Sequence, residues 1–322
     1  MGAVMPPAVE HHRAAVRDRL ARAKMTRSGP DSVTWKLNRE VVVVAGWLRA
    51  ILLQFAHPLV ARGVHDHSGF RAGLPASLAR LRSTVGAMLA LTFGDQDAAV
   101  EAAARINAVH DRVHGRMPHP AGAFGSGHQY SAHDPELLRW VHATLLESVL
   151  MTYELLVGPL TDAEKDRYCA EAAIAEPLLD LPAGSLPRDA GTLQGYMRDM
   201  VAGGTIAVTD TSRSLAHALL FPPGSLILWP ALRPARLITF ALLPPQIRAA
   251  YGFRWDAREA RAFARWTAFL RTAVRLLPRV AREWPAARRL TAAASAHAWS
   301  GTGEEQLGHE LHGARSRCKL ET

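Results

Sequence analysis

In "VHDRVHGRM", residues 109 to 117, His110 and His114 stand four positions apart, a spacing that sets both imidazoles on the same side of an α-helix. Nine of the chain's fifteen histidines fall between His57 and His142. Neutral imidazole ligates zinc, iron or copper, and a single imidazole inside an apolar helical pocket holds haem iron. A histidine on an apolar face is also an ordinary core residue when it hydrogen-bonds a carbonyl. The cluster is therefore open to three readings: a metal centre, a haem site, or packing.

Spacing narrows the chemistry. His57, His110 and His142 each lie in helical stretches on largely apolar faces, and His142 aligns with Leu138, Leu145 and Val149. For His142 that arrangement favours a packing role. A di-iron carboxylate bundle wants two Glu-x-x-His pairs, and the chain has none. The His-Glu-x-x-His of a zincin and the Cys-x-x-Cys-His of a c-type haem are also absent. Non-covalent haem b, held by one axial imidazole, remains. Charged or hydroxylated groups near the iron would steady negative charge developing on bound oxygen. In "ARLRSTVGAMLALTFG", Arg80 and Thr84 lie four apart on one helical face, although a surface arginine and a helix-filling threonine would look the same. No Gly-x-Ser-x-Gly elbow marks a serine nucleophile, and "GSG" at 125–127 is too short to cradle phosphate.

The elements that must position these residues are helical. Hydrophobic residues make up 48% of the 322 and charged ones 21%, ordinary globular usage with ample material for a core. Ala and Leu recur with helical periodicity almost throughout, and strand-length alternation is scarce. The fold class read from this pattern is all-α, with helices at 8–24, 33–56, 58–66, 76–93, 96–114, 134–157, 162–180, 190–203, 209–219, 230–241, 244–251, 256–276 and 284–297. Asp134-Pro135 and Thr161 with Glu164 supply start signals. Gly94, Gly115 and Gly158 read as stops. Between them "GRMPHPAGAFGSGHQYSAHD" is too long for a mere connector, a length often tied to function.

Cys169 and Cys318 are far apart in sequence and suggest neither a disulfide framework nor a zinc site, which suits a reducing cytoplasm. The basic stretch "EHHRAAVRDRLARAK" precedes any apolar run, so no export signal is expected. The most apolar segment, Val41 to Val60, is interrupted by Arg49 and closed by His57-Pro58, which favours a buried helix over a bilayer span of about 20 residues. The net charge of +9 is mostly arginine. Arg258, Arg261 and Arg265 share one helical face, with Phe263, Trp266, Phe269 and Leu270 on the others. A solvated face is the plain reading; peripheral contact with an anionic membrane is the partner this basic helix would suit, and nucleic acid is not expected.

Five stretches together resemble a known family: "LLQFAHPLVARGVHDHSGF", "RLRSTVGAMLALTFG", "INAVHDRVHG", "YSAHDPELLRWVHATLLESVLMTYELLVGPLTDAEKDRYCAE" and "LLPPQIRAAYGFRW". Their order and spacing are similar to those of the ER-bound oxygenase MpaB and rubber oxygenase catalytic domain family, from about residue 30 to about residue 290. The resemblance implies a globin-like, all-α single domain enclosing one haem b, and oxidative cleavage of carbon–carbon double bonds in isoprenoid chains. It places the axial iron ligand on His110. The distal Arg-x-x-Lys-Thr of the family's rubber oxygenases falls on Arg80, Ser83 and Thr84, so the lysine is missing and the sixth iron position is left open to water, oxygen, peroxide or another side chain. The arginines flanking the axial histidine become Asn107 and His114, which with the lost lysine argues against rubber itself as substrate. His57, Asp66 and His67 match the family's "HP" and "DHS" elements; Asp66 or His65 is a candidate distal base.

The reading that follows is a haem b (iron) oxygenase acting on an apolar small molecule with dioxygen or peroxide. Its site would comprise Arg80, Ser83, Thr84 and Asp66 for catalysis, and His110, His114, Asn107, His57 and His142 around the cofactor. The expected organisation is an N-terminal helical extension (1–29), the oxygenase-like domain (30–298) and a polar tail (299–322). Two alternatives stand beside it: a haem-binding sensor or storage protein without turnover, and a non-haem metal protein using His110 and His114 as a chelating pair.

Overall fold

A computed structural model describes residues 7–24, 29–67, 74–221 and 229–289. The chain is mostly helical. It opens with α1 (Pro7–Ala23) and α2 (Val33–Asn38), then a 3-10 turn (Val41–Val44), α3 (Ala45–Phe55) and α4 (Pro58–His67). The helices α5 (Leu74–Phe93) and α6 (Gln96–His110) lead into a small hairpin, β1 (His114–Arg116) and β2 (Gln129–Ser131). Beyond it come α7 (Pro135–Leu156), α8 (Asp162–Ala172), α9 (Ala175–Leu179), α10 (Ala190–Ala202), α11 (Asp210–Leu220), α12 (Trp229–Leu242), α13 (Pro245–Ala250), α14 (Ala257–Leu276) and α15 (Arg279–Arg282).

The long helix α7 is the axis of the core. Its Trp140, Ala143, Leu146, Val149, Leu150 and Tyr153 pack on Leu52 and Leu53 of α3. Contact is close because Gly46 has no side chain: a β-carbon there would lie 2.7 Å from the Ser148 carbonyl. Arg49, the charge inside the apolar run, is 2% exposed, and each of its three nitrogens has a partner. It donates to Glu147 (2.6 Å), to Ser148 (2.8 Å) and to the Leu242 carbonyl (2.7 Å), so α3, α7 and α12 are tied by one guanidinium. Among the described residues no single helix is long and apolar enough to cross a membrane, and the apolar run bends by 103° at His57-Pro58.

Several sequence expectations need correction. The helix expected over 33–56 is three pieces, because Glu40 adopts extended backbone and bridges Glu283 from the far end of the chain, while four successive β-branched valines favour a short 3-10 turn. The helix expected over 162–180 breaks after Ala172, and Pro177 falls in the first turn of α9, where its missing N–H is harmless. The helix expected over 96–114 stops at His110. His114 is a strand residue, so His110 and His114 do not share a helical face, and the i, i+4 chelating pair does not form. Gly115, read as a helix stop, pairs with Tyr130 across the hairpin; a β-carbon on it would meet the Tyr130 hydroxyl oxygen at 2.5 Å. The helix expected over 284–297 appears as 285–289, and the rest lies outside the described residues, as does the tail with Cys318. Phe269, assigned to a face away from the arginines, is 61% exposed; lying four positions after Arg265, it falls on their side.

The N-terminal helix α1 packs on α6 and α9 through Val16 and Leu20 against Val100, Ala103 and Leu178. The loop between the hairpin strands is also packed, with Phe124 beside Leu59, Met117, Tyr130 and Leu137.

Candidate functional site

The helices α5 and α6 are joined by Gly94 and Asp95 alone. Gly94 is needed there, since a β-carbon would lie 2.5 Å from the Ala90 carbonyl, and Asp95 caps α6 by accepting from the Ala98 N–H at 2.8 Å. So short a link makes the two helices antiparallel neighbours. The link therefore puts Arg80, Ser83 and Thr84 on the helix that packs beside α6. Ser83 and Thr84 are exposed; the Arg80 side chain lies outside what the structure describes.

His110 closes α6. Its Nδ1 is buried and has no hydrogen-bond partner. Burial, helped by the neighbouring His133, pulls its pKa down from the usual value to about 4, so the ring is neutral at neutral pH. Next to it, the Asp111 carboxylate accepts from His133 Nε2 and from His12 Nε2, each at 2.8 Å. Burial works against the Asp111 charge, yet these two hydrogen bonds outweigh it and hold the carboxyl below its ordinary value. The His133 ring stands edge-on to His110 with centroids 5.7 Å apart. α1 therefore reaches the site through His12, and the hairpin reaches it through His133.

Sequence reasoning missed His12, Asp111 and His133. His133 sits in the loop already marked by its length, and Asp111 directly follows the axial candidate; only His12, ninety-nine residues from Asp111, had no local signal.

The other histidines occupy separate neighbourhoods. His57 is 3% exposed at the α3–α4 bend, packs on the Phe124 ring at 5.3 Å, and has an unpartnered Nδ1. His142 hydrogen-bonds the Ala172 backbone and leaves Nε2 unpartnered. Burial lowers the pKa of each to about 4. Among the described residues no three His, Cys, Asp or Glu side chains group in a way that could hold a metal ion. Asn107 is buried and donates to the carbonyls of Ala103 (3.0 Å) and Leu178 (2.9 Å), fastening α6 to α9, while its Oδ1 is unpartnered. Cys169 lies in the main core, and burial raises its thiol to about 12.

Asp66 and His67 belong to a second polar group under the hairpin. The Asp66 carboxylate accepts from Arg62 (2.7 Å) and from the Tyr130 hydroxyl (2.6 Å), with His65 at 3.2 Å. Partial burial opposes its charge, but the hydrogen bonds prevail and keep its pKa low. His67 Nε2 donates to the His114 carbonyl at 3.1 Å. Above them a cleft of about 380 Å³ is lined by His114, Gly115, Arg116, Gln129, Tyr130, Ser131 and Asp134, and the His114 side chain is exposed on its rim.

Residues 35–272 match the family model described as the ER-bound oxygenase mpaB/B'/rubber oxygenase catalytic domain. The chain belongs to this family. Uncharacterized proteins of Mycobacterium tuberculosis and Mycobacterium bovis are each 29% identical to it over 244 residues, covering 73% of this chain and 89% of the relative. No solved structure matches. The matched segment contains α5, α6, the hairpin and α7, and with them every candidate site residue except His12. Membership in an oxygenase family supports an oxidoreductase and implies a substrate and an oxidant.

Proposed function

We propose that the chain is a haem b-dependent oxygenase acting on an apolar small molecule, isoprenoid or polyene in character, with dioxygen or peroxide as oxidant. The observation that carries this reading is His110, a neutral imidazole with an unpartnered buried nitrogen at the helix end where the family's axial ligand falls. A residue of that kind fits an iron ligand, because coordination needs the unprotonated ring. Haem bound there would supply an iron able to activate oxygen.

The chain's own residues divide the remaining work. His110 would hold the iron. His133, held by Asp111, stands edge-on against the His110 ring and would limit how that ring turns. Arg80, Ser83 and Thr84, carried on the adjoining α5, would orient the oxidant. Ser83 has no amine to compete for the iron, unlike the lysine in its place elsewhere in the family. Asp66 is the candidate base, and since its oxygens already accept from Arg62 and Tyr130, it takes a further proton only as one of those bonds opens. His57, His142 and Asn107 contribute neutral polar atoms from core positions and do not ligate.

The test is an absorbance spectrum of protein expressed with haem supply, followed by oxygen uptake with prenyl and polyene substrates. A Soret band abolished in His110→Ala, with substrate-dependent oxygen consumption, is the expected result. A colourless protein with no affinity for haem overturns the proposal. Haem binding without turnover on any such substrate would select the sensor or storage reading, which the loss of the family lysine at Ser83 favours as second choice.

A further inference from the structure

We infer that the exposed side of α14, with the few residues after it, docks on an anionic lipid bilayer. Six large hydrophobic residues are exposed among the described residues, and four of them fall within this one stretch: Phe269 (61%), Leu276 (79%), Leu277 (44%) and Val280 (61%). At 100° per residue, positions 258, 261, 265, 269, 272 and 276 lie in one stripe. Its first half carries Arg258, Arg261 and Arg265, and its second half ends in Phe269 and Leu276. Residues 257–282 hold seven arginines against the single acid Glu259. Arg233 already lies within 4.0 Å of Glu259, and Arg279 and Arg282 are taken by Glu283 and Glu40. Arg261, Arg265, Arg271 and Arg275 have no ion-pair partner among the described residues.

A bilayer interface satisfies both halves of this surface at once. Apolar side chains enter the acyl boundary while guanidinium groups stay at the level of anionic headgroups, and α14 lies flat along the surface. Nucleic acid would answer the arginines and leave four apolar side chains in water. A second copy of the chain, docked by the same face, would set Arg258, Arg261 and Arg265 against their own counterparts. The inference is independent of haem, since none of these residues belongs to the candidate site.

Flotation of the full-length protein with vesicles decides the matter. The expected result is binding to vesicles of two parts phosphatidylcholine and one part phosphatidylglycerol at least tenfold tighter than to pure phosphatidylcholine, weakening as salt rises. Phe269→Ser with Leu276→Ser should lower that binding about tenfold, as should Arg261→Glu with Arg265→Glu, while Arg261→Lys with Arg265→Lys keeps most of it. All these side chains are exposed, and unchanged circular dichroism would confirm an intact fold. Equal binding to both vesicle types, or serine variants as tight as the parent, overturns the inference. It is overturned equally by duplex DNA binding that outcompetes vesicles, by a dimer that Phe269→Ser dissociates, or by vesicle binding that emerges only after removal of residues 290–322.

Discussion

Two polar groups flank the hairpin, and they are finished to different degrees. Around Asp66, the carboxylate, the Tyr130 hydroxyl, the Arg62 guanidinium and the His67 ring all meet partners at hydrogen-bond distance. Around His110, Asp111 and its two histidines are equally well paired, yet the central imidazole keeps a buried nitrogen with no partner. Buried polar atoms are almost always satisfied, and leaving one unmade costs about 1–3 kcal/mol. His110, like His57 and His142, thus keeps a nitrogen in reserve, and what sets it apart is the paired Asp111 and His133 beside it. The Asp66 group fastens the hairpin to α4, and Asp66 is free to act as a base only as one of its bonds opens.

Replacing the reserve should have the largest effect. His110→Ala is expected to weaken haem binding roughly a thousandfold, about 4 kcal/mol, whereas Tyr130→Phe should leave haem affinity within a factor of two or so; spectral titration measures both. Equal losses in the two variants would erase the distinction.

Acid should next separate the buried histidines from the Asp66 group. His57, like His110, has a folded pKa near 4, below its unfolded value of 6.5. Between those values the unfolded chain binds a proton that the folded chain refuses, so stability falls as pH drops from 6.5 toward 4, by up to about 3 kcal/mol for such a residue. Asp66 behaves oppositely: its pKa is depressed, its contribution is whole above the unfolded carboxyl value, and it is lost only as pH falls through the lower folded one. Denaturant melts across this range should show a slope between pH 6.5 and 4 that flattens in His57→Asn and persists in Asp66→Asn.

Smaller effects test the supports. His133→Ala removes the ring packed edge-on against His110 and should reduce haem affinity by a few-fold, about 1 kcal/mol or less, through a looser His110 ring. Tyr130→Phe removes the hydrogen bond to Asp66 and should cost about 1 kcal/mol in thermal or chemical unfolding, with no spectral consequence. A spectral change in that variant would join the two groups into one site.

Much of the site's scaffolding is visible in local sequence. Asp134-Pro135 starts α7 as expected, and Thr161 with Glu164 forms the capping box of α8. Helix α5 presents Arg80, Ser83 and Thr84 on a continuous helix. His142 lies on α7 with its ring hydrogen-bonded to the backbone of α8, as an apolar-face histidine should. The failures come where distant segments meet. His114 looks helical because nothing before Gly115 breaks the pattern, yet pairing with Ser131 draws it into a strand. Glu40 interrupts a helical pattern in order to bridge Glu283, some 240 residues onward.

By itself the sequence determined where several helices begin, which faces are apolar, and that the chain carries the motifs of an oxygenase family, because caps, periodicity and motifs act over a few residues. Tertiary structure alone decided that His110 and His114 part company, that His12 and His133 converge on Asp111, and that Phe269 faces outward beside the arginines. Those outcomes depend on which surfaces exclude water together, and burial of that kind is a property of the packed chain, with no local signal to announce it.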